Sequence, residues 1–274
     1  MPSPNRQLFA LPDGPPATLD IAGAHYCLAR VFKHDFFAAT CLYETDQGER
    51  FPRIVAKFSR HQPFCGVPLA WAASFLRDHE EAIYKALEGV QGVPALVGRI
   101  GESAFAMEFI DARPLDHNPP PPAGFFDQLA QLLSAVHARG VAYADANKRS
   151  NFLIAPDGRP FVIDFQISLR LRNDLPWPIR AVIARAVRYL MSKDIYHLYK
   201  HKRRIAPQEL TPQQDALSRH LTGLHLIHRK LTTVWRSGRR LFLKSQFQKG
   251  ALTSPTAALE DHHQPEKDTW RKME

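Results

Sequence analysis

Cysteine is scarce in this chain: Cys27, Cys41 and Cys65 are the only three, and no two form a Cys-x-x-Cys pair. That excludes a disulfide framework and points to a reduced, cytoplasmic setting. Long apolar runs are missing too. Nowhere do eighteen apolar residues follow one another, so no helix of bilayer-crossing length is expected. The opening Met1-Pro2-Ser3-Pro4-Asn5-Arg6 has no basic-then-apolar pattern of the kind that marks a secretory leader. Glycine is also sparse, and no Gly-x-Gly-x-x-Gly occurs anywhere. A backbone cradle for phosphate built on glycines is therefore absent.

What the chain does contain is three short stretches in a fixed order. Arg53-Ile54-Val55-Ala56-Lys57 is an apolar run that delivers a lysine. Tyr143-Ala144-Asp145 is followed by Asn147, Lys148 and Asn151. Val162-Ile163-Asp164-Phe165-Gln166 is a second apolar run, ending on an aspartate. Each piece alone is ordinary, since many strands end in a lysine that snorkels to water. Order and spacing carry the argument: Lys57 precedes Asp145 by about ninety residues, and Asp164 follows it by nineteen. Phosphoryl transfer requires a cation on the phosphates, oxygen ligands for Mg²⁺, and a carboxylate aimed at the acceptor hydroxyl. One lysine, two aspartates and one asparagine supply that set. The intervening Asn151–Asp164 reads as a hairpin in which two apolar strands flank Pro156-Asp157-Gly158. It would set Asn151 and Asp164 at the outer ends of neighbouring strands, within reach of one metal.

On these motifs, residues from about 25 to 170 resemble the protein-kinase-like superfamily, most closely its bacterial atypical branch of RIO-like and Kdo/lipopolysaccharide-kinase-like proteins. Ordinary kinases carry His-Arg-Asp with an Asn five residues on. Here the interval is six and Tyr143 stands at the His position, in an Asp-x-x-Lys-x-x-Asn loop similar to that of the bacterial branch. The resemblance implies an α+β, two-lobed fold with a small antiparallel-sheet N-lobe holding one helix and a mainly helical C-lobe. It implies ATP and Mg²⁺ as cofactors. It assigns Lys57 to the α/β-phosphates, Asp145 to the acceptor hydroxyl, Lys148 to the charge on the transferring group, and Asn151 and Asp164 to the metal. Gln166 stands where the glycine of Asp-Phe-Gly usually stands. The glutamate that orients the lysine must come from the helix over 72–88. Glu80 shares the inward face of Ile83, Tyr84 and Leu87, whereas Glu81 lies about a hundred degrees round and is expected in solvent.

Strands Tyr26–Phe32, Thr40–Thr45, Arg53–Phe58 and Phe105–Phe109 are expected in the N-lobe. Met107-Glu108-Phe109-Ile110-Asp111 is expected to be the hinge, where backbone groups of Met107, Glu108 and Phe109 would meet an adenine edge and Met107 would front the base. The glycine-free Lys33-His34-Asp35-Phe36-Phe37-Ala38-Ala39 loop would contact nucleotide through Lys33 or His34. The expected organisation is a flexible tail over 1–20, an N-lobe over 21–110, a C-lobe over 111–250 and a second tail over 251–274. Pro119–Pro122 reads as a stiff spacer before a helix at Phe125–Arg139.

After Asp164 no peptide-docking platform is visible. Ser168–Asp174 is short, and Pro176-Trp177-Pro178 opens a helix at once. Between Arg170 and Lys249, eighteen Lys/Arg stand against four Asp/Glu, a balance of +14, while the whole chain carries +9. The rest therefore sums to −5. Two apolar stripes, Ile179, Val182, Ile183, Ala186 and Leu190 and then Leu217 to Trp235, are expected to pack into the C-lobe. Arg236, Arg239, Arg240 and Lys244 around Leu241, Phe242 and Leu243 suit an anionic membrane face. No nucleic-acid recognition pattern is present, and none is expected as a partner. Two functions follow. One is a phosphotransferase acting on a hydroxyl of a protein Ser/Thr or a lipid-linked sugar, cytoplasmic and peripheral at the inner membrane face. The other is a pseudokinase that binds partners at a membrane or polyanion.

Overall fold

A computed structural model of the chain describes residues 10–34, 38–60, 70–102 and 104–219. The basic stretch at 236–244 and the tail over 251–274 lie outside the described residues, as does Asp35–Phe37. The chain forms two compact units. The first takes in the described residues up to Arg77 together with Val97–Phe109; the second takes in Asp78–Leu96 and the described part of Ile110–His220.

The first unit is a six-stranded sheet of β1 (Thr18–Ile21), β2 (Ala24–His34), β3 (Ala38–Glu44), β4 (Arg53–Ser59), β5 (Leu96–Ile100) and β6 (Ala104–Glu108), in the order β1-β2-β3-β4-β6-β5. Alternation explains it. Along β4, Ile54, Ala56 and Phe58 are buried while Arg53, Val55, Lys57 and Ser59 are half-buried, the period-two pattern of a strand with unlike faces. One face carries Tyr26, Cys41, Tyr43, Ile54, Ala56, Phe58 and Ala106 into a common core. Burial pushes the Cys41 thiol up to about 12, so this cysteine is an inert packing residue. Of residues 10–20, expected as part of a flexible tail, Thr18–Asp20 instead lie in the edge strand of the sheet, and the segment before them is held against it. β1 pairs with β2, Ala10 is buried, and the Tyr43 hydroxyl donates to the Pro16 carbonyl at 2.7 Å. The prolines of this segment hide a strand that starts only after them.

Helix α1 (Ala70–Ala86) opens among first-unit residues and passes at Asp78 into the second unit. There α2 (Phe125–Ala138) buries Phe125, Phe126, Leu129, Leu132, Leu133 and Val136, a helical stripe. Each such side chain contributes roughly 1.5–3 kcal/mol when taken fully out of water. Helix α3 (Trp177–Ile205) has Pro176 as its N-cap and Pro178 in its first turn, where a missing N–H costs nothing. Its buried Lys202 reaches Asp127 at 2.6 Å. Short strands complete the unit: β7 (Arg113–Pro114), β8 (Val141–Ala142), β9 (Phe152–Ile154), β10 (Pro160–Val162) and β11 (Leu169–Arg170), followed by α4 (Pro212–Arg219). The fold class is the one expected, α+β with an antiparallel sheet first and a mainly helical part after it. One expectation fails on α3: Ile179 and Val182 are 51% and 69% exposed, and Val187 and Leu198 do the packing instead.

Candidate active site

Strand β8 delivers Tyr143-Ala144-Asp145 into a turn that the backbone adopts reluctantly. Ala144 has φ +65°, a left-handed conformation that a residue with a Cβ rarely takes, and Asp164 has φ +63°. Such strain persists only where surrounding contacts impose it, and at Ala144 those contacts are plain. Asp194 on α3, 1% exposed, accepts the Tyr143 N–H at Oδ2 and the Ala144 N–H at Oδ1, both at 2.8 Å. His137 Nε2 donates to the same carboxylate at 3.0 Å. Burial pushes the Asp194 pKa up, and the His137 and backbone donors oppose that rise.

Asp145, 8% exposed, is thereby aimed at two donors. Its Oδ2 accepts from Asn151 Nδ2 at 2.9 Å and meets Lys148 Nζ at 2.8 Å. Burial raises its pKa, Lys148 is the largest opposing influence, and the Asp164 charge adds to the rise. The six-residue interval closes on backbone hydrogen bonds. Lys148 N–H donates to Asp145 at 3.1 Å, and Asn151 N–H donates to Lys148 at 3.3 Å through a 3-10 turn at Arg149–Asn151. From α3, His201 Nε2 donates to the Ala146 carbonyl at 2.9 Å. Desolvation lowers the pKa of this histidine to about 4, so the ring is neutral and acts as a fixed prop.

The expected hairpin is present. Phe152, Leu153 and Ile154 face Val162, Phe161 and Pro160, and Gly158 turns the chain at φ +86°. Ile163 N–H donates to the Asn151 carbonyl at 3.1 Å, which sets Asp164 one residue beyond Asn151's level. The Tyr143 hydroxyl donates to the Ile163 carbonyl at 2.6 Å. The Asp164 carboxylate then lies 4.0 Å from Lys148 Nζ. Behind it, Phe165 is fully buried with its ring edge-on to Tyr84 and Tyr143, centroids 5.1 and 5.3 Å away. Ser168 Oγ donates to the Tyr143 carbonyl at 2.8 Å, and His79 Nε2 to the Ser168 carbonyl at 2.8 Å. Gly92, at φ +89°, accepts from Val162 N–H, and a Cβ there would sit 2.8 Å from the Pro160 carbonyl oxygen. That close approach requires glycine.

The structure thus brings Asp145, Lys148, Asn151 and Asp164 together. Glu80 is buried at 2% and its charge raises the pKa of the Tyr84 phenol, after burial itself. Glu81, expected in solvent, is also buried at 4%, with its carboxylate on Lys85 at 2.7 Å. The one-turn ion pair lets a charged residue a hundred degrees off the apolar stripe leave water. In the first unit, Lys33, Thr40, Lys57 and Phe105 form one cross-strand row, and Leu42, Val55 and Met107 form the row after next. Lys33, Lys57 and Met107 therefore share the sheet face opposite the core. Glu108 ends β6 opposite Ile54. Two sequence expectations change. The Phe109 N–H is not available to an adenine edge, because it donates to the Arg53 carbonyl at 3.2 Å while its ring stacks on Phe32. His34 Nε2 accepts from the Leu11 N–H at 3.2 Å, so its ring secures the N-terminal segment.

The donor set suits a metal shared with phosphate. Among the described residues, no three His, Cys, Asp or Glu side chains gather as a metal cage. Asn151 uses its amide nitrogen on Asp145, which leaves its oxygen, and the Asp164 carboxylate side chain is 32% exposed. Mg²⁺ takes one or two such oxygens and completes its shell from phosphates and water.

No family model matches the sequence, and no curated protein matches it. Among solved structures, the chain is similar to the Rio2 kinase from Chaetomium thermophilum, at 18% identity and a TM-score of 0.48, over 69% of this chain and 62% of that one. It is also similar to the Rio2 kinase–ADP/Mg²⁺–phosphoaspartate complex from the same organism, at 18% identity and a TM-score of 0.47, over 68% and 58%. The match spans about three fifths of those chains.

Proposed function

We propose that this chain is an atypical, protein-kinase-like phosphotransferase that uses ATP and Mg²⁺ to phosphorylate a hydroxyl. The observation that carries the reading is the convergence of Asp145, Lys148, Asn151 and Asp164. A buried carboxylate is held by an amide and a cation, and a second, more exposed carboxylate lies one lysine away. When bound, Mg²⁺–ATP supplies the phosphoryl group and a counter-charge for it. Asp145 orients the acceptor hydroxyl and takes its proton. Lys148, already between two carboxylates, meets the negative charge that develops on the transferring group. Asn151 and Asp164 offer oxygens to the metal. Lys57 is assigned to the phosphates, with Glu80 as its orienting carboxylate and Lys33 as the cation of the glycine-free loop. Met107 and Glu108 are assigned to the adenine end; Phe109 contributes there through its ring stack rather than its N–H. The acceptor is a protein Ser/Thr or a lipid-linked sugar, and the setting is cytoplasmic.

The glycine-free Lys33–Ala39 loop favours a second reading, a pseudokinase that binds nucleotide or a partner without transfer. One assay separates them: the full chain with γ-³²P-ATP and Mg²⁺, offered a Ser/Thr-rich polypeptide and a lipid-linked glycan side by side. Label on either acceptor supports the enzyme and names its substrate class. Nucleotide binding with no label on any acceptor, including the chain itself, supports the pseudokinase.

A further inference from the structure

The first four turns of α3 leave an unusual surface. Trp177 is 73% exposed, Val182 69% and Ile179 51%, and Leu171 just before the helix is 41% exposed. No acidic residue occurs from Leu175 to Lys193, while Arg180, Arg185 and Arg188 do. Among the described residues, none of these three guanidiniums has an ion-pair or hydrogen-bond partner. Arg180, Ala184 and Arg188 are spaced four apart, so the two arginines stand on one stripe about 12 Å apart with only an alanine between them. Beside that stripe lies a cleft of about 340 Å³, lined chiefly by Leu171, Arg172, Asn173, Trp177, Arg180 and Arg188. Arg172 is already committed to Asp174 at 2.6 Å. Arg180 and Arg188 are the cations left to an incoming anion. Arg180, Trp177, Arg188 and Arg185 spread over an arc of about 140° on the helix, with Val182 about 60° beyond Arg185 and Ile179 about 60° beyond Val182.

We propose that this face of α3 docks on an anionic bilayer, with a lipid phosphate seated in the cleft between Arg180 and Arg188. Charge complementarity selects the occupant. A row of unpaired arginines without a single carboxylate attracts a phosphate surface, and the headgroup zone also accepts an indole and two aliphatic side chains that water does not. A soluble anion alone gives no place to Trp177, Ile179 and Val182. The inference does not depend on phosphotransfer, because none of these residues belongs to the candidate active site.

The test uses the full chain and vesicles of phosphatidylcholine, alone or mixed with phosphatidylglycerol, at low salt. Co-sedimentation should occur only with the mixed vesicles and should fade as salt rises. Replacing both arginines (R180Q/R188Q), on an exposed face that leaves the circular dichroism spectrum unchanged, should weaken partitioning about thirty-fold, each interfacial arginine contributing about five-fold. Brominated lipid should quench tryptophan fluorescence in the native chain and in W235F but not in W177F. The proposal fails if native protein ignores anionic vesicles, if R180Q/R188Q binds as native does, or if quenching survives in W177F. It also fails if the face is instead covered by a second copy, seen as a dimer that R180Q/R188Q and W177F both dissociate.

Discussion

Asp145 and Asp164 are two carboxylates on either side of one ammonium group, in differing environments, and the proposed function gives them different work. Burial raises the Asp145 pKa while Lys148 holds it down. Proton acceptance needs the carboxylate, so turnover should fall as pH drops through that raised value. The acid limb of the kcat/KM profile should then lie above the ordinary aspartate value of about 3.9. Lys148→Met removes the opposing cation and should carry the limb to still higher pH, whereas Lys148→Arg should leave it near its native position. A limb unmoved in Lys148→Met would take Lys148 out of the electrostatic account. In the proposed function Asp164 is the member that faces the metal. Native protein should gain thermal stability from ATP only when Mg²⁺ is present, and Asp164→Ala should erase that dependence. Nucleotide binding indifferent to both metal and Asp164 would remove it from the metal site.

At the scale of elements, α3 holds the loop from behind through two residues. Asp194 collects the N–H groups of Tyr143 and Ala144, so Asp194→Ala leaves two backbone donors and His137 without their acceptor. A cost of about 3 kcal/mol or more in urea unfolding is expected. With it should come a fall in kcat much larger than any change in KM for ATP, since the loop loses its aim and not its contact with nucleotide. His201, four turns further from the helix start than Val187, is neutral in the folded chain with a pKa of about 4. The unfolded histidine binds its proton near pH 6.5, so the unfolded state is favoured as pH falls from about 6.5 to about 4, by up to about 3 kcal/mol over the whole window. His201→Gln should lose less stability than native between pH 7 and pH 5. Equal losses would contradict the assignment.

The same element shows what the sequence could and could not disclose. The strands β2, β3, β4 and β6 and the 152–162 hairpin were legible because alternation and a Pro-Asp-Gly turn are local signals. The four residues of the candidate site were legible because their chemistry and spacing are linear. Asp194 was not singled out, although it sits on the helix stripe of Val187, Leu198 and His201 as the lone acid of a basic helix, which is a readable mark. The left-handed Ala144 leaves no trace in sequence, because its cause is a carboxylate fifty residues away. β1 escaped notice among prolines, and Glu81 was misplaced because its partner Lys85 was not weighed.

For the whole molecule, positive charge and candidate chemistry lie in the same half of the sequence. Of the eighteen basic residues between Arg170 and Lys249, eleven fall among the described residues, and three of those carry the unpaired face of α3. A phosphotransferase with such a face would work on acceptors at an anionic surface. Phosphoryl transfer of the proposed kind depends on Asp145. The most direct measurement is transfer of label from γ-³²P-ATP in the presence of Mg²⁺ by the native chain and by Asp145→Asn, with nucleotide affinity measured in parallel. The prediction is Mg²⁺-dependent transfer by the native chain, and its loss in Asp145→Asn while ATP affinity stays within a few-fold of native. Undiminished transfer by Asp145→Asn would contradict the central claim.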